Sequence, residues 1–106
     1  MKVSKYRNKK TNGYDSAKEA GRAWQLKILE RNGEIYDLRE QVMFILQDKF
    51  KRDGKSERAI TYVADFVYMQ DGKKIVEDVK GFKTDVYKIK RKMLLFRYPD
   101  IVFLET

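Results

Sequence analysis

"YVADFVYMQDGKKIVEDVKG", residues 62–81, joins two strand-like runs through Asp-Gly, and how those runs pair decides the fold. "AITYVADFVYM" (59–69) is dense in β-branched and aromatic residues, and Ile75, Val76 and Val79 repeat that bias beyond the turn. Asp71-Gly72 favours a two-residue type I′ hairpin turn, which requires positive φ at both central residues. Gln70 then faces Lys73, and counting back along both strands sets Asp65 directly opposite Asp78. A three-residue turn would shift the pairing and set Asp65 against Glu77; the two-residue turn is preferred because it needs no bulge. Cross-strand partners have Cβ atoms about 5 Å apart, and like charges there destabilise the pair. A proton, a cationic side chain or a bound metal must offset that repulsion.

Alternation along the third strand puts Asp78 and Lys80 on one face and Glu77 on the other. Val63 and Val67 flank Asp65 on its own face, so the two aspartates are expected among apolar neighbours. A strand carrying Glu77, Asp78 and Lys80 reads, on charge alone, as an edge strand with one wet face.

Working outward, Ser16 is a candidate N-cap for a helix running to about Arg31, with Glu19 at capping-box spacing. Ala20, Ala23, Trp24, Ile28 and Arg31 form its expected sheet-facing side. That places Glu19 at the border of the buried face, within reach of the aspartates; alternatively it only completes the cap and interacts with the helix dipole. "QVMFILQDKF" (41–50) reads as a strand and "KRDGKSER" (51–58) as a charged loop. Thr84 caps a second helix, "DVYKIKRKMLLFRY", ended by Pro99, and "DIVFLE" is the last strand. The order is αβββαβ. The fold class is therefore α/β of the mixed α+β kind, a central four-stranded mixed sheet flanked by helices. A basic arm over residues 1–13 precedes a single domain over 14–106.

Composition narrows the chemistry. With 106 residues the chain supports one domain with a real core. It has neither cysteine nor histidine, which excludes disulfides, thiolate metal sites, imidazole bases and His-liganded zinc. Any catalysis must rest on carboxylates, lysines, tyrosines or a hard metal. The first ten residues lack the apolar run of a signal peptide and nothing is long enough to span a membrane, so a cytoplasmic protein with no membrane partner is expected. A net charge of +8 points to a polyanion partner. Lys83, Lys88, Lys90, Arg91, Lys92 and Arg97 surround the second helix, where Lys83 and Thr84 are placed to meet a phosphate. Arg7, Lys9 and Lys10 of the arm are further nucleic-acid contacts, and Tyr87 either stacks on a base or packs.

An αβββαβ core with Asp65 in "YVADF" and Asp78 and Lys80 in "EDVKG" resembles the PD-(D/E)XK nuclease superfamily, with Glu19 in "SAKEAGRAW" standing where many members carry a helix glutamate. More narrowly it looks like a group of small phage-encoded endonucleases, some linked to Holliday-junction resolution. Ala64 replaces the first half of the "PD" signature. The resemblance implies a restriction-endonuclease-like core and a Mg²⁺-dependent DNA endonuclease (Mn²⁺ substituting), specific for branched or junction DNA in phage or prophage replication or recombination. It implies a bacterial host cytoplasm and a homodimer if the substrate is a junction. By the same resemblance, Asp65, Asp78 and the Val79 carbonyl bind the metal, Glu19 joins directly or through water, and Lys80 handles the attacking water. The alternative is a non-catalytic nucleic-acid-binding protein that retains the fold.

Overall fold

The computed structural model describes residues 13–14, 16–79 and 83–106. The basic arm, apart from Gly13, lies outside the described residues, as do Lys80 and Gly81. Helix α1 covers Ala17–Arg31, and Ser16 caps it, its Oγ accepting from the Glu19 amide at 3.1 Å. Strand β1 is Tyr36–Gln47, followed by β2 (Phe50–Arg52), β3 (Lys55–Glu57), β4 (Ile60–Gln70) and β5 (Lys73–Asp78). Helix α2 is Asp85–Arg97, capped by Thr84 through the Tyr87 amide at 3.0 Å, and β6 is Val102–Glu105.

The main sheet is mixed and four-stranded, in the order β1-β4-β5-β6. β1–β4 and β4–β5 are antiparallel, whereas β6 lies parallel to β5. The fold is the mixed α+β class that the sequence pattern indicates. Two expectations change. β5 is an interior strand rather than a wet edge: Ile75 through Asp78 are all buried, because α2 carries the chain across and lays β6 on its open side. Residues 51–58 are not a plain loop, since β2 and β3 form a hairpin around Asp53 (φ 52°) and Gly54 (φ 76°). All six strand residues of this hairpin are exposed, so no apolar alternation announces it.

The turn between β4 and β5 has Asp71 at φ 52° and Gly72 at φ 77°, the left-handed pair of a type I′ turn. It sets Gln70 against Lys73 and carries the ladder to Phe66 against Glu77.

Two cores lie on opposite faces of the sheet. On one, Tyr87 and Leu94 of α2 meet Phe44, Leu46, Tyr62, Ala64, Val67 and Val76. On the other, Ala23 and Leu26 of α1 meet Ile35, Phe66, Tyr68 and Ile75. Even-numbered residues of β4 thus change sides, with Tyr62 and Ala64 under α2 but Phe66 and Tyr68 under α1. β1 does the same, since Val42, Phe44 and Leu46 pack towards α2 and Leu38 towards α1. Pairing is in the same register on both sides of the change, from Val42↔Ala64 to Glu40↔Phe66. The two strands therefore slip together at Gln41 and Asp65, and Gln41 absorbs the slip with φ 54°. This corrects the expectation that Val63 and Val67 share a face with Asp65: Val67 is buried beneath α2, and Val63 is 48 % exposed.

The face of α1 also differs from expectation. Its buried residues are Glu19, Ala23 and Leu26, whereas Trp24 is 64 % exposed. The stripe containing Leu26 meets the sheet; the neighbouring stripe with Trp24 and Ile28 turns outward. Glu19 consequently heads the buried line instead of bordering it. Among the described residues no helix is long and apolar enough to cross a membrane. Urea unfolding should separate the two stripes: Leu26→Ala is expected to cost about 2–5 kcal/mol, and Trp24→Ala about 1 kcal/mol or less.

Candidate functional site

The site forms where the sheet slips. Beyond Phe66↔Glu77 the β4–β5 backbone ladder stops, and carboxylates take over its amides. The Asp65 amide donates to Asp78 Oδ1 at 3.1 Å, and the Val79 amide donates to Asp65 Oδ2 at 2.9 Å. Asp78 is buried at 1 % exposure, and the Tyr62 hydroxyl donates to its Oδ2. The two aspartates are thus neighbours, each oriented by the other's strand. The hydrogen-bond donors to these carboxylates ease the crowding of two acids in one place.

Glu19 reaches the same place from α1. Gln41 Nε2 donates to Glu19 Oε2 at 3.1 Å and to Asp65 Oδ1 at 3.4 Å. Glu19, Asp65 and Asp78, drawn from a helix and two strands, therefore belong to one hydrogen-bonded net. Lys80 lies outside the described residues. Val79 is half-buried beside the net.

An all-oxygen set of carboxylates suits a hard divalent cation such as Mg²⁺. Their present spacing is another matter. Among the described residues no group of three or more acidic, His or Cys side chains is arranged to hold an ion. Within the described residues, the Gln41 amide bridges Glu19 and Asp65 and the Tyr62 hydroxyl donates to Asp78. The donor chemistry fits the metal; the described spacing does not bring three such groups round one point.

Glu77 faces the other core and takes a structural part. It is fully buried, and Arg22 grips it through Nε at 2.5 Å and Nη2 at 3.1 Å. Tyr68 donates to it at 2.7 Å and Thr106 at 2.9 Å. Burial alone would raise the Glu77 carboxyl, but the hydrogen bonds from Arg22, Tyr68 and Thr106 and the Arg22 charge together hold it below its ordinary value. Tyr68 is pushed up to about 12, first by burial and then by its bond to Glu77.

The proposed phosphate contacts divide. Lys83 pairs with Glu105 at 3.1 Å, and Arg91 approaches the same carboxylate at 3.8 Å. Tyr87 also donates to Glu105 and is buried, so it packs. Thr84 spends its Oγ1 on the helix cap. Lys88 and Lys92 are exposed on α2, but so are Val86, Ile89 and Phe96, so the outward side of the helix is apolar as well as basic. Arg7, Lys9 and Lys10 lie outside the described residues.

Gln41 and Tyr62 carry hydrogen bonds of the site, and Arg22 and Glu105 those of the ion pairs around it, without having been singled out by sequence. Gln41 would have required the β1–β4 register, which no tight turn announces.

Fold and site together define a mixed α+β domain, one helix on each face of the sheet, that gathers acidic side chains where its central strands slip. The chain belongs to the family described as "Protein of unknown function (DUF1064)", whose model it matches over residues 3–104. Comparison with curated proteins and with solved structures finds no significant match.

The buried ion pair makes a pH-dependent contribution. Because the folded Glu77 carboxyl is held below its unfolded value of about 4.3, the stabilisation is fully present above that value. It is lost as pH falls through the lower, folded value. Glu77→Gln should therefore destabilise the protein by about 3 kcal/mol near pH 7. The gap between variant and wild type in urea titrations should narrow steadily below about pH 4.

Proposed function

We propose that this protein is a Mg²⁺-dependent endonuclease that hydrolyses phosphodiester bonds in branched or junction DNA, acting in phage or prophage replication or recombination. One observation carries the reading: Glu19, Asp65 and Asp78 converge from α1, β4 and β5 into a single net, in a chain of net charge +8. Carboxylates gathered in this way offer the oxygen donors that a hard divalent cation takes. Asp65 and Asp78 would hold the metal, the Val79 carbonyl would add an oxygen, and Glu19 would join directly or through water. Bound there, the cation would polarise the scissile phosphate and lower the pKa of a coordinated water. Lys80 would steady the attacking water and balance charge developing on the phosphate.

For the DNA backbone, Lys88 and Lys92 lead on α2 because Lys83 and Arg91 already share Glu105. Arg7, Lys9 and Lys10 would extend the contact. So small a domain favours recognition of DNA shape over a long base sequence. Cutting a junction symmetrically would require a homodimer.

A second reading, a non-catalytic nucleic-acid-binding protein, is favoured by one fact: among the described residues no group of acids is spaced to hold an ion. Labelled linear, flapped, forked and four-way DNA, each with Mg²⁺, Mn²⁺ or EDTA, separates the two. Metal-dependent cutting of branched substrates is expected. Asp65→Asn and Asp78→Asn should each slow it by about 100-fold or more, with DNA affinity largely kept. Wild-type rates in both variants would remove the site assignment, and tight binding without metal-dependent cutting would establish the second reading. In either case affinity should fall steeply as salt rises.

A further inference from the structure

Helix α2 has a second apolar side, turned away from the sheet. Tyr87 and Leu94 face inward and are buried, whereas Val86, Ile89 and Phe96 are 62 %, 60 % and 89 % exposed. With Met93 among them, these residues recur at intervals of three, four and three, the spacing of an a/d seam that packs against another helix. Single exposed apolar side chains are ordinary; four along one helix edge mark a contact surface. The surface beside them is also hollowed. A cavity of about 450 Å³ opens between Met93, Phe96 and Leu46 of β1, and another of about 400 Å³ between Val86, Ile89, Met93 and Ile60 of β4. Met93 lines both, so the two hollows adjoin along α2.

Lysines border this seam. Lys90 lines one hollow and Lys92 the other. Among the described residues the ion pairs of α2 are made by Arg91 with Glu105 and by Arg97 with Asp48, which leaves Lys90 and Lys92 unmatched. The helix's own acid, Asp85, stands in its first turn.

We infer that the outer side of α2 is a docking site for an amphipathic helix of another protein, whose apolar stripe covers Val86, Ile89, Met93 and Phe96 and whose acidic margins meet Lys90 and Lys92. This is helix-in-groove recognition, with charge selecting the partner. A second copy of the chain would set the same lysines against one another, and like charges across a contact repel. Duplex DNA would pair its phosphates with the lysines but lay charge over the seam, leaving Phe96 without an apolar partner. An acidic amphipathic helix answers both the seam and its borders. None of these residues belongs to the acidic net, so the inference stands apart from the nuclease reading. Lys92 is also a proposed phosphate contact, so such a partner would compete with DNA for it.

The test uses the full chain and two fluorescein-labelled synthetic peptides of three heptads, both with Leu at a and d. One carries Glu at e and g, the other Lys. Fluorescence anisotropy should show the Glu peptide binding with a Kd below about 100 μM, and about tenfold or more tighter than the Lys peptide. Ile89→Ser with Phe96→Ser should weaken the Glu peptide about tenfold or more. Lys90→Glu with Lys92→Glu should reverse the preference between the peptides. Both pairs of substitutions lie outside the core, so melting should stay within about 3 °C of wild type.

Equal binding of the two peptides, or binding of neither, would overturn the inference. Loss of binding in the lysine variant with none in the Ile89→Ser, Phe96→Ser variant would also overturn it, since that is the behaviour of a plain polyanion surface such as DNA uses. Sedimentation that shows a dimer of the chain, abolished by Ile89→Ser with Phe96→Ser, would assign the face to a second copy and overturn it equally.

Discussion

The structure turns on one local irregularity, the joint slip of β1 and β4 at Gln41 and Asp65. Sheet strands normally keep each parity of residue on one face throughout. Here Ala64 and Phe66, two residues apart, belong to different cores. The pairing is unchanged across the slip itself, and the register shifts only nearer the two ends of β1, between Tyr36 and Arg39 and between Ile45 and Gln47. Within β1 and β4, one stretch of even-numbered side chains faces α2 and the other faces α1. The acids collect at the crossing, where neither core claims the side chains and the β4–β5 backbone ladder has ended. Regular alternation through residue 65 would have sent its side chain into one apolar layer or the other.

Much of the fold follows from local signals. Ser16 and Thr84 cap their helices as side-chain chemistry dictates, and Asp71-Gly72 fixes the central hairpin. The pairing that brings Asp65 beside Asp78 is legible from that turn. What was not legible depended on distant partners. β5 carries too many charges to look interior, yet β6 arrives beside it after a helical crossover, and Arg22, from α1, neutralises Glu77. Helical spacing groups Trp24 with Ala20, Ala23 and Ile28, but a helix buries the stripe that fits the sheet, and Leu26 lies on it. Tyr62 and Gln41 are ordinary strand residues until the sheet is assembled. Only three-dimensional pairing shows that their hydrogen-bonding groups end on carboxylates.

The two acids adjacent in sequence illustrate how environment divides one chemistry into two roles. Glu77 meets a guanidinium, a phenol and a hydroxyl, a fully partnered buried charge that ties α1 and Thr106 to the sheet. Asp78 meets a phenol and a backbone amide next to another carboxylate. The first arrangement binds the fold together. The second sets two carboxylates side by side, each tied to the other's strand by a backbone amide. Glu105 provides a third case: it draws Lys83, Arg91 and Tyr87 together, so part of α2's positive charge is already matched within the chain.

The tight turn at Asp71-Gly72 has a consequence for how such a site tolerates change in chain length. Strand faces are counted from that turn, so one residue gained or lost there would move β5 along β4 by a step and exchange the surroundings of Glu77 and Asp78. A carboxylate gripped by arginine would be presented beside Asp65, and Asp78 would be forced towards the guanidinium. The turn touches none of the acids, yet its length acts as the index from which their two environments are assigned. Insertions are absorbed far more readily by the exposed β2–β3 hairpin, whose residues bear on neither core.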